Sequence, residues 1–256
     1  MLGLEDERPD EPGLDPRRRG TFEHEVFERF FREWEGEGHG AITPALVPAA
    51  RTMFRALVDE MVGVLAEADR AVERIRLLGS PAMTGIGERV FRLEAQRAVP
   101  VVARKLEVDL AGTYDFPVGD RTVTVTLRGI ADRVDLLGDG TLRVVDYKSG
   151  HAPEVRRALQ LPVYGFCAER RLAGEHGRAW RLGEAAYIAF GEKRPWVTVI
   201  ASPDDRDAAV ADALGRLAAA VAGITRGDFP PNPVPRTLCA TCAFAAVCRK
   251  DYVDAG

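Results

Sequence analysis

Two runs rich in β-branched residues, 123–137 and 142–148, stand either side of Gly138-Asp139-Gly140, and no other feature narrows the possible folds of this chain as much. Such runs parted by a glycine-containing loop predict neighbouring antiparallel strands. If all three residues form the loop, Leu137 faces Thr141 and the same register carries Asp132 opposite Asp146, with Cβ atoms about 5 Å apart. Side chains alternate along a strand, so Asp146 and Lys148 share that face at roughly 7 Å. A two-residue Asp-Gly turn would instead send Asp132 and Asp146 to opposite faces. In the three-residue register Asp135 opposes Arg143 and faces away from Asp132, which predicts an ion pair there.

Two close carboxylates repel, and without a cation one of them tends to hold a proton. A hard divalent ion removes the conflict: Mg²⁺ or Mn²⁺ takes one or two carboxylates, with waters and a substrate phosphate completing the octahedron. Such an ion acidifies a bound water and neutralises charge on the phosphorus oxygens, and a lysine beside it orients that water or stabilises the transition state. Asp132, Asp146 and Lys148 therefore predict a metal-dependent phosphodiesterase site. The same residues also fit a plain cross-strand ion pair between Asp132 and Lys148.

Further motifs surround this hairpin in a fixed order. Gly20-Thr21-Phe22-Glu23-His24 opens a predicted helix, and Gln160-Leu161-Pro162-Val163-Tyr164 follows the strands. A cluster of Cys239, Cys242 and Cys248 comes near the end of the chain. Together with Gly129-Ile130-Ala131-Asp132 and Asp146-Tyr147-Lys148, this set resembles the RecB/AddB-type nucleases of the PD-(D/E)XK superfamily over residues 20–249. The resemblance implies an α/β fold: a restriction-endonuclease-like core with a mixed central sheet flanked by helices, a helical subdomain and a C-terminal cysteine cluster. It implies that His24, Asp132, Asp146 and Tyr147 bind or support the metal, that Lys148 is catalytic, and that Gln160 and Tyr164 help to position the site or the DNA. Read from the residues alone, His24 lies beside Phe27 and Phe31 at helical spacing and also fits a buried structural histidine. Gln160 and Tyr164 share a helix face, as in any amphipathic helix. Glu107 is a further acidic candidate on a preceding strand, or an exposed strand residue.

Cys239-Ala240-Thr241-Cys242, with Cys248 beyond it and Pro230-Pro231-Asn232-Pro233 before it, has soft-metal spacing. In the resembled proteins, including the related CRISPR-adaptation nucleases, three such cysteines join one far upstream to hold a [4Fe-4S] cluster. No cysteine precedes Cys167, so this chain is expected to lack the upstream ligand as an excised part of a larger polypeptide, or to use Cys167. Cys167 follows Tyr164 on an apolar helical stretch and also fits a buried small hydrophobe. Zinc held by three cysteines and a histidine is the other soft-metal solution.

With 256 residues, 46% of them hydrophobic, the chain can bury one large core. The expected organisation is a linker or poorly ordered start over 1–19, a helical region with the His24 motif over 20–103, a nuclease core over 104–229 and a Pro-rich cysteine segment over 230–256. Thr21 is the expected cap of the first helix. Helices are also expected over 44–97 as a subdomain able to wall a DNA channel, and over 154–172. Another begins at Pro203, with a stripe of Val210, Leu214, Leu217, Val221 and Ile224 ending at Gly227. Strands are expected over 185–190 and 196–201, and the sheet is expected to begin near Arg104. No stretch reads as long and apolar enough to cross a membrane, and the acidic N-terminus has no secretory segment, so a cytoplasmic protein is expected. The net charge of −4 excludes a uniformly basic coat for nucleic acid, but Arg17-Arg18-Arg19, Arg156-Arg157 and Arg170-Arg171 could line a local groove. No glycine-rich P-loop is present, so any ATP-driven unwinding is expected from a helicase subunit or fused domain. The expected function is a Mg²⁺- or Mn²⁺-dependent DNA exonuclease in recombinational repair. A catalytically silent DNA-end-binding scaffold and a CRISPR-adaptation nuclease are the alternatives.

Overall fold

The structure is a computed structural model that describes residues 13–228 together with residues 239, 242–244, 247 and 248. The described residues begin with three helices, α1 (Pro16–Gly36), α2 (Val47–Val62) and α3 (Glu67–Leu78). A two-residue hairpin of β1 (Gly79–Ser80) and β2 (Met83–Thr84) leads into α4 (Ile86–Ala95). Helix α1 starts ahead of the expected Thr21 cap. Asp15 caps it, its Oδ1 accepting from the amides of Arg17 (2.9 Å) and Arg18 (3.0 Å), and Pro16 supplies the preset first helical residue. Thr21 lies inside the helix, its hydroxyl donating to the Arg17 carbonyl at 3.3 Å. The poorly ordered start expected over 1–19 therefore does not extend to Pro16, and residues 1–12 lie outside the described residues.

The central sheet contains β3 (Val101–Asp109), β6 (Ile130–Leu137), β7 (Thr141–Lys148), β8 (Arg181–Ala189) and β9 (Trp196–Ile200), in the spatial order β3-β6-β7-β8-β9. It is mixed: β7 and β8 run parallel and the other neighbours antiparallel. The parallel pair needs a crossover, supplied by a 3₁₀ turn (Val155–Arg157) and α5 (Gln160–Arg171) where one continuous helix was expected. A separate hairpin of β4 (Gly112–Val118) and β5 (Arg121–Leu127) precedes β6. The strand expected over 123–137 is therefore broken at Arg128-Gly129, because its first half pairs with β4 rather than joining the sheet.

The β6–β7 hairpin has the three-residue loop. Its pairs run from Leu136–Leu142 to Arg133–Val145, and continuing that register brings Asp132 opposite Asp146. Asp139 caps the loop by accepting from the Thr141 amide at 2.9 Å, and Gly140 takes φ +87°, which glycine adopts without strain.

Each face of the sheet has its own core. Val134, Leu136, Leu142, Val144 and Tyr187 face α5 and α6 (Pro203–Arg226). Val145, Tyr147, Ile188 and Phe190 face the aromatic stripe of α1, backed by α2 and α4. Phe27 stacks on Tyr147 with ring centroids 5.0 Å apart and on Phe190 at 5.6 Å. The N-terminal helices thus share a core with the sheet. The stripe of α6 stops short of its expected end: Val210, Leu214 and Ala218 are buried but Ile224 is 61% exposed. Contrary to expectation, α6 does reach the length and apolarity of a membrane-crossing helix, with mean hydropathy 1.4 over its most apolar window. Much of that apolarity is alanine, and Val210, Ala213 and Leu214 pack on the core.

Candidate active site

Asp132 on β6 and Asp146 and Lys148 on β7 project to the face covered by α5. Lys148 Nζ lies 2.7 Å from Asp146 Oδ2. Gln160, at the start of α5, donates from Nε2 to Asp146 Oδ1 at 2.8 Å and receives a long 3.5 Å bond from Lys148 at Oε1. One glutamine amide thus holds the acid and the amine together. Tyr187, opposite Asp146 on the parallel strand, lies beneath Lys148, whose ammonium is 5.6 Å from the ring centroid.

Asp132 Oδ2 accepts from the Tyr147 amide at 2.9 Å, and the His24 Nδ1 atom is 3.5 Å away. His24 reaches the strands from α1 by donating from Nε2 to the Tyr147 carbonyl at 2.9 Å. A neutral ring that donates there turns its Nδ1 lone pair toward the Asp132 carboxylate, and a proton or cation between them satisfies both. Glu107, which has φ +48°, falls beside Asp132 when the β3–β6 register is continued through it. Burial, then the charges of Asp132 and Glu28, raise its carboxyl.

Asp146 is 3% exposed. Burial first, and the negative charge of Asp132 second, push its carboxyl up to about 6 against the pull of Lys148 and His24. Its Oδ2 is buried and, although Lys148 Nζ is close, no well-aligned hydrogen bond reaches it. The Lys148 contact is a charge contact at 2.7 Å. A buried oxygen left short of donors, facing a second carboxylate, fits a hard divalent cation. Among the described residues no three His, Cys, Asp or Glu side chains already converge as a closed ligand cage.

Each expected site residue has a definite place. His24, Asp132, Asp146, Lys148 and Gln160 meet at the ends of β6 and β7. Tyr164, one helical turn beyond Gln160, packs against Gly129, where an added Cβ would lie 2.8 Å from the Tyr164 hydroxyl. The glycine ahead of the Asp132 strand is therefore required by close approach. Tyr147 meets the site through its backbone and not its side chain: strand alternation turns the phenol to the opposite face, where it accepts from Arg133 Nη1 at 3.2 Å and burial pushes it up to about 12. Only its backbone faces the site. Asp135 pairs with Arg143 as expected, with Arg143 Nη2 at 2.5 Å. Tyr187 is not legible in the sequence; its signal is the β7–β8 register, which depends on a parallel crossover no local pattern reveals.

Cys167 is fully buried in the α5 core, and burial pushes its thiol up to about 12, as for a small apolar residue. The Cys242 amide donates to the Cys239 carbonyl at 3.4 Å, and among the described residues no disulfide joins Cys239, Cys242 or Cys248. The Pro230-Pro231-Asn232-Pro233 stretch lies outside the described residues. Of the basic candidates, Arg19 is tied to Glu73 and Arg157 to Glu154, and Arg170 stacks on Phe166. Arg17, Arg18 and Arg156 are exposed.

Part of the chain is similar to proteins from Streptococcus agalactiae. One of the subunits of the ATP-dependent helicase/deoxyribonuclease, from the serotype Ia, V and III strains, is in each case 28% identical over 154 residues. That match covers 58% of this chain and 12% of the relative, so the chain spans only a small fraction of the relatives' length. Residues 1–249 match the PD-(D/E)XK nuclease superfamily. With a mixed sheet carrying Asp132, Asp146 and Lys148 on one face, and with nearly its whole length matched, the chain belongs to the PD-(D/E)XK nuclease superfamily.

Proposed function

We propose that the protein is a Mg²⁺- or Mn²⁺-dependent deoxyribonuclease that hydrolyses phosphodiester bonds at DNA ends or in single strands, acting as an exonuclease. The observation that carries this is the buried Asp146 oxygen without an aligned donor, facing Asp132 and flanked by Lys148. A divalent ion bound there supplies Lewis-acid activation of water and neutralises charge on the scissile phosphate. Asp132 and Asp146 would hold it, with His24 and the Tyr147 carbonyl next to them. Lys148 would hold the attacking water in line and stabilise charge on the phosphate oxygens, since its side chain is partly open to solvent while Asp146 and Gln160 hold its ammonium. Gln160 also prevents Asp146 from turning away when it ionises. Tyr164 sets the distance between α5 and the Gly129 backbone.

The similarity to a helicase/deoxyribonuclease component supports a DNA substrate and a helicase partner, and a role in recombinational repair is proposed with them. A cytoplasmic location belongs to the same proposal. The proposed cofactor of this site is the divalent ion. The test is cleavage of end-labelled single- and double-stranded DNA with Mg²⁺, Mn²⁺ or EDTA. Metal-dependent degradation by the wild type, reduced about 1,000-fold in Lys148→Ala, is expected from loss of one charge-stabilising group. Equal inactivity of both proteins with DNA binding intact would replace the nuclease with a silent end-binding module.

A further inference from the structure

We propose that Glu23 is a positioning residue that, through a buried joint with Arg76 and Ser149, sets His24 and Lys148 in place relative to each other. This rests on the nuclease reading above. Glu23 is fully buried on α1, immediately before His24. Its Oε1 accepts from Arg76 Nε of α3 at 2.5 Å, and its Oε2 accepts from the hydroxyl of Ser149, the residue after Lys148. Arg76 Nη2 closes the ring by donating to the Ser149 carbonyl at 3.1 Å. Three segments distant in sequence thus meet on one carboxylate, one residue away from each of two groups at the active site.

The rest of α3 fits the role of a brace. Asp69, Glu73 and Arg76 lie on one face of it, at spacings of four and three residues. Asp69 accepts from the Gly13 amide at 2.9 Å, and Glu73 accepts from the Leu14 amide at 3.0 Å and from Arg19 Nε at 3.2 Å. All these contacts grip α1 or the turn leading into it. On the far side, the strand exit is held by Phe190, whose amide donates to the Lys148 carbonyl at 2.8 Å, and by Gly191, whose amide donates to the Gly150 carbonyl at 2.9 Å. Among the described residues, no side chain of the joint hydrogen-bonds to those of His24, Asp132, Asp146 or Lys148, so its influence passes through the backbone. A buried carboxylate holds its geometry only while its donors are satisfied, and removing one member leaves the others uncompensated.

The test compares Glu23→Gln, Ser149→Ala and Ser149→Thr with wild type in three measurements: single-turnover DNA cleavage with Mg²⁺, DNA affinity with Ca²⁺, and amide hydrogen exchange over residues 148–151 and over α6. Displacement of the joint by about 1 Å is expected to slow cleavage by on the order of 100-fold in Glu23→Gln and Ser149→Ala. DNA affinity should stay at the wild-type level. Exchange should quicken over residues 148–151 but not over α6, and Ser149→Thr, which keeps the hydroxyl, should restore cleavage. Wild-type cleavage or wild-type exchange in Ser149→Ala overturns the joint, as does exchange that quickens equally over α6. If Glu23→Gln fails to fold, Ser149→Ala and Ser149→Thr decide alone. If the wild type cleaves nothing with any metal, the nuclease reading fails, and local exchange still decides whether the joint exists.

Discussion

Asp135 and Asp146 are two buried carboxylates on one hairpin, three residue pairs apart, and their surroundings are opposite. Asp135 faces α1 and α4, where Arg133 grips both its oxygens at 2.7 Å and Arg143 donates to it at 2.5 and 3.0 Å. Arg104 stands 3.8 Å away, and Glu94 completes the cluster with Arg133 at 2.9 Å. Burial alone would raise the Asp135 carboxyl, but the three guanidinium groups hold it far below the usual range. Asp146, on the face toward α5, has one ammonium, one amide and a second carboxylate across from it, and is pushed up to about 6. A carboxylate with more cationic donors than it needs is part of the architecture. One left short of cations is suited to binding them, and strongly perturbed acids of that kind concentrate at functional sites.

The largest effect that could break this comparison is on stability. Asp135→Asn leaves Arg104, Arg133 and Arg143 with Glu94 and, at the edge of the cluster, the partly exposed Glu35 and Glu184, and should cost about 3–5 kcal/mol in urea unfolding. A loss below about 1 kcal/mol would show that the cluster is not structural.

The pH dependence should have opposite sign at the two sites. The folded Asp135 carboxyl lies below its ordinary value of 3.8, so its stabilisation is present above pH 3.8 and is lost as pH falls beneath that. The folded Asp146 carboxyl lies above the same ordinary value, so its contribution is complete below pH 3.8 and is lost as pH rises through about 6. That loss is on the order of 2–3 kcal/mol for a shift of this size. Urea midpoints in EDTA at about pH 4.5 and about pH 7 should therefore differ between wild type and Asp146→Asn. Wild type should weaken on going to the higher pH, and Asp146→Asn should lack that component. An identical pH response in both proteins would show that Asp146 is not strained.

Smaller effects sharpen the functional side. Gly129→Ala forces a methyl group against the Tyr164 hydroxyl and should cost about 1–3 kcal/mol by overpacking. Combining it with Tyr164→Ala, which removes the hydroxyl and the ring carbons that an added Cβ would meet at 2.8–3.0 Å, should cost less than the sum of the two single changes, whereas simple additivity would mean that no close approach exists. Ile224→Ser, at the exposed end of α6, should change stability by no more than about 0.5 kcal/mol. A larger loss would mean that the stripe of α6 is covered after all.

The parts legible in the sequence were those governed by short-range rules. A period of two along a strand and a three-residue loop are enough to place Asp132 opposite Asp146, Asp135 opposite Arg143, and Lys148 beside Asp146. The Ser202 cap and Gly227, at φ +71°, likewise mark the ends of α6 as sharply as their residue types suggest. Even local signals compete, however. Asp15-Pro16 starts α1 ahead of Thr21, since an Asx cap followed by proline is the stronger pair. The break at Arg128-Gly129 is hidden because β-branched residues continue on both sides of it, and only pairing with β4 decides which sheet the first half joins.

The sequence by itself determined the hairpin and narrowed its register to two, one of which gathers Asp132, Asp146 and Lys148, because backbone alternation and turn geometry act over a few residues; the observed pairing selects the three-residue loop. Tertiary structure decided which of the buried acids is saturated with cations and which is not. It brought Arg104 to Asp135, Gln160 to Asp146, Tyr187 beneath Lys148, and Arg76 with Ser149 to Glu23. A buried charge takes its state from whatever the rest of the chain packs within a few ångströms of it, and no local pattern along the chain specifies those neighbours.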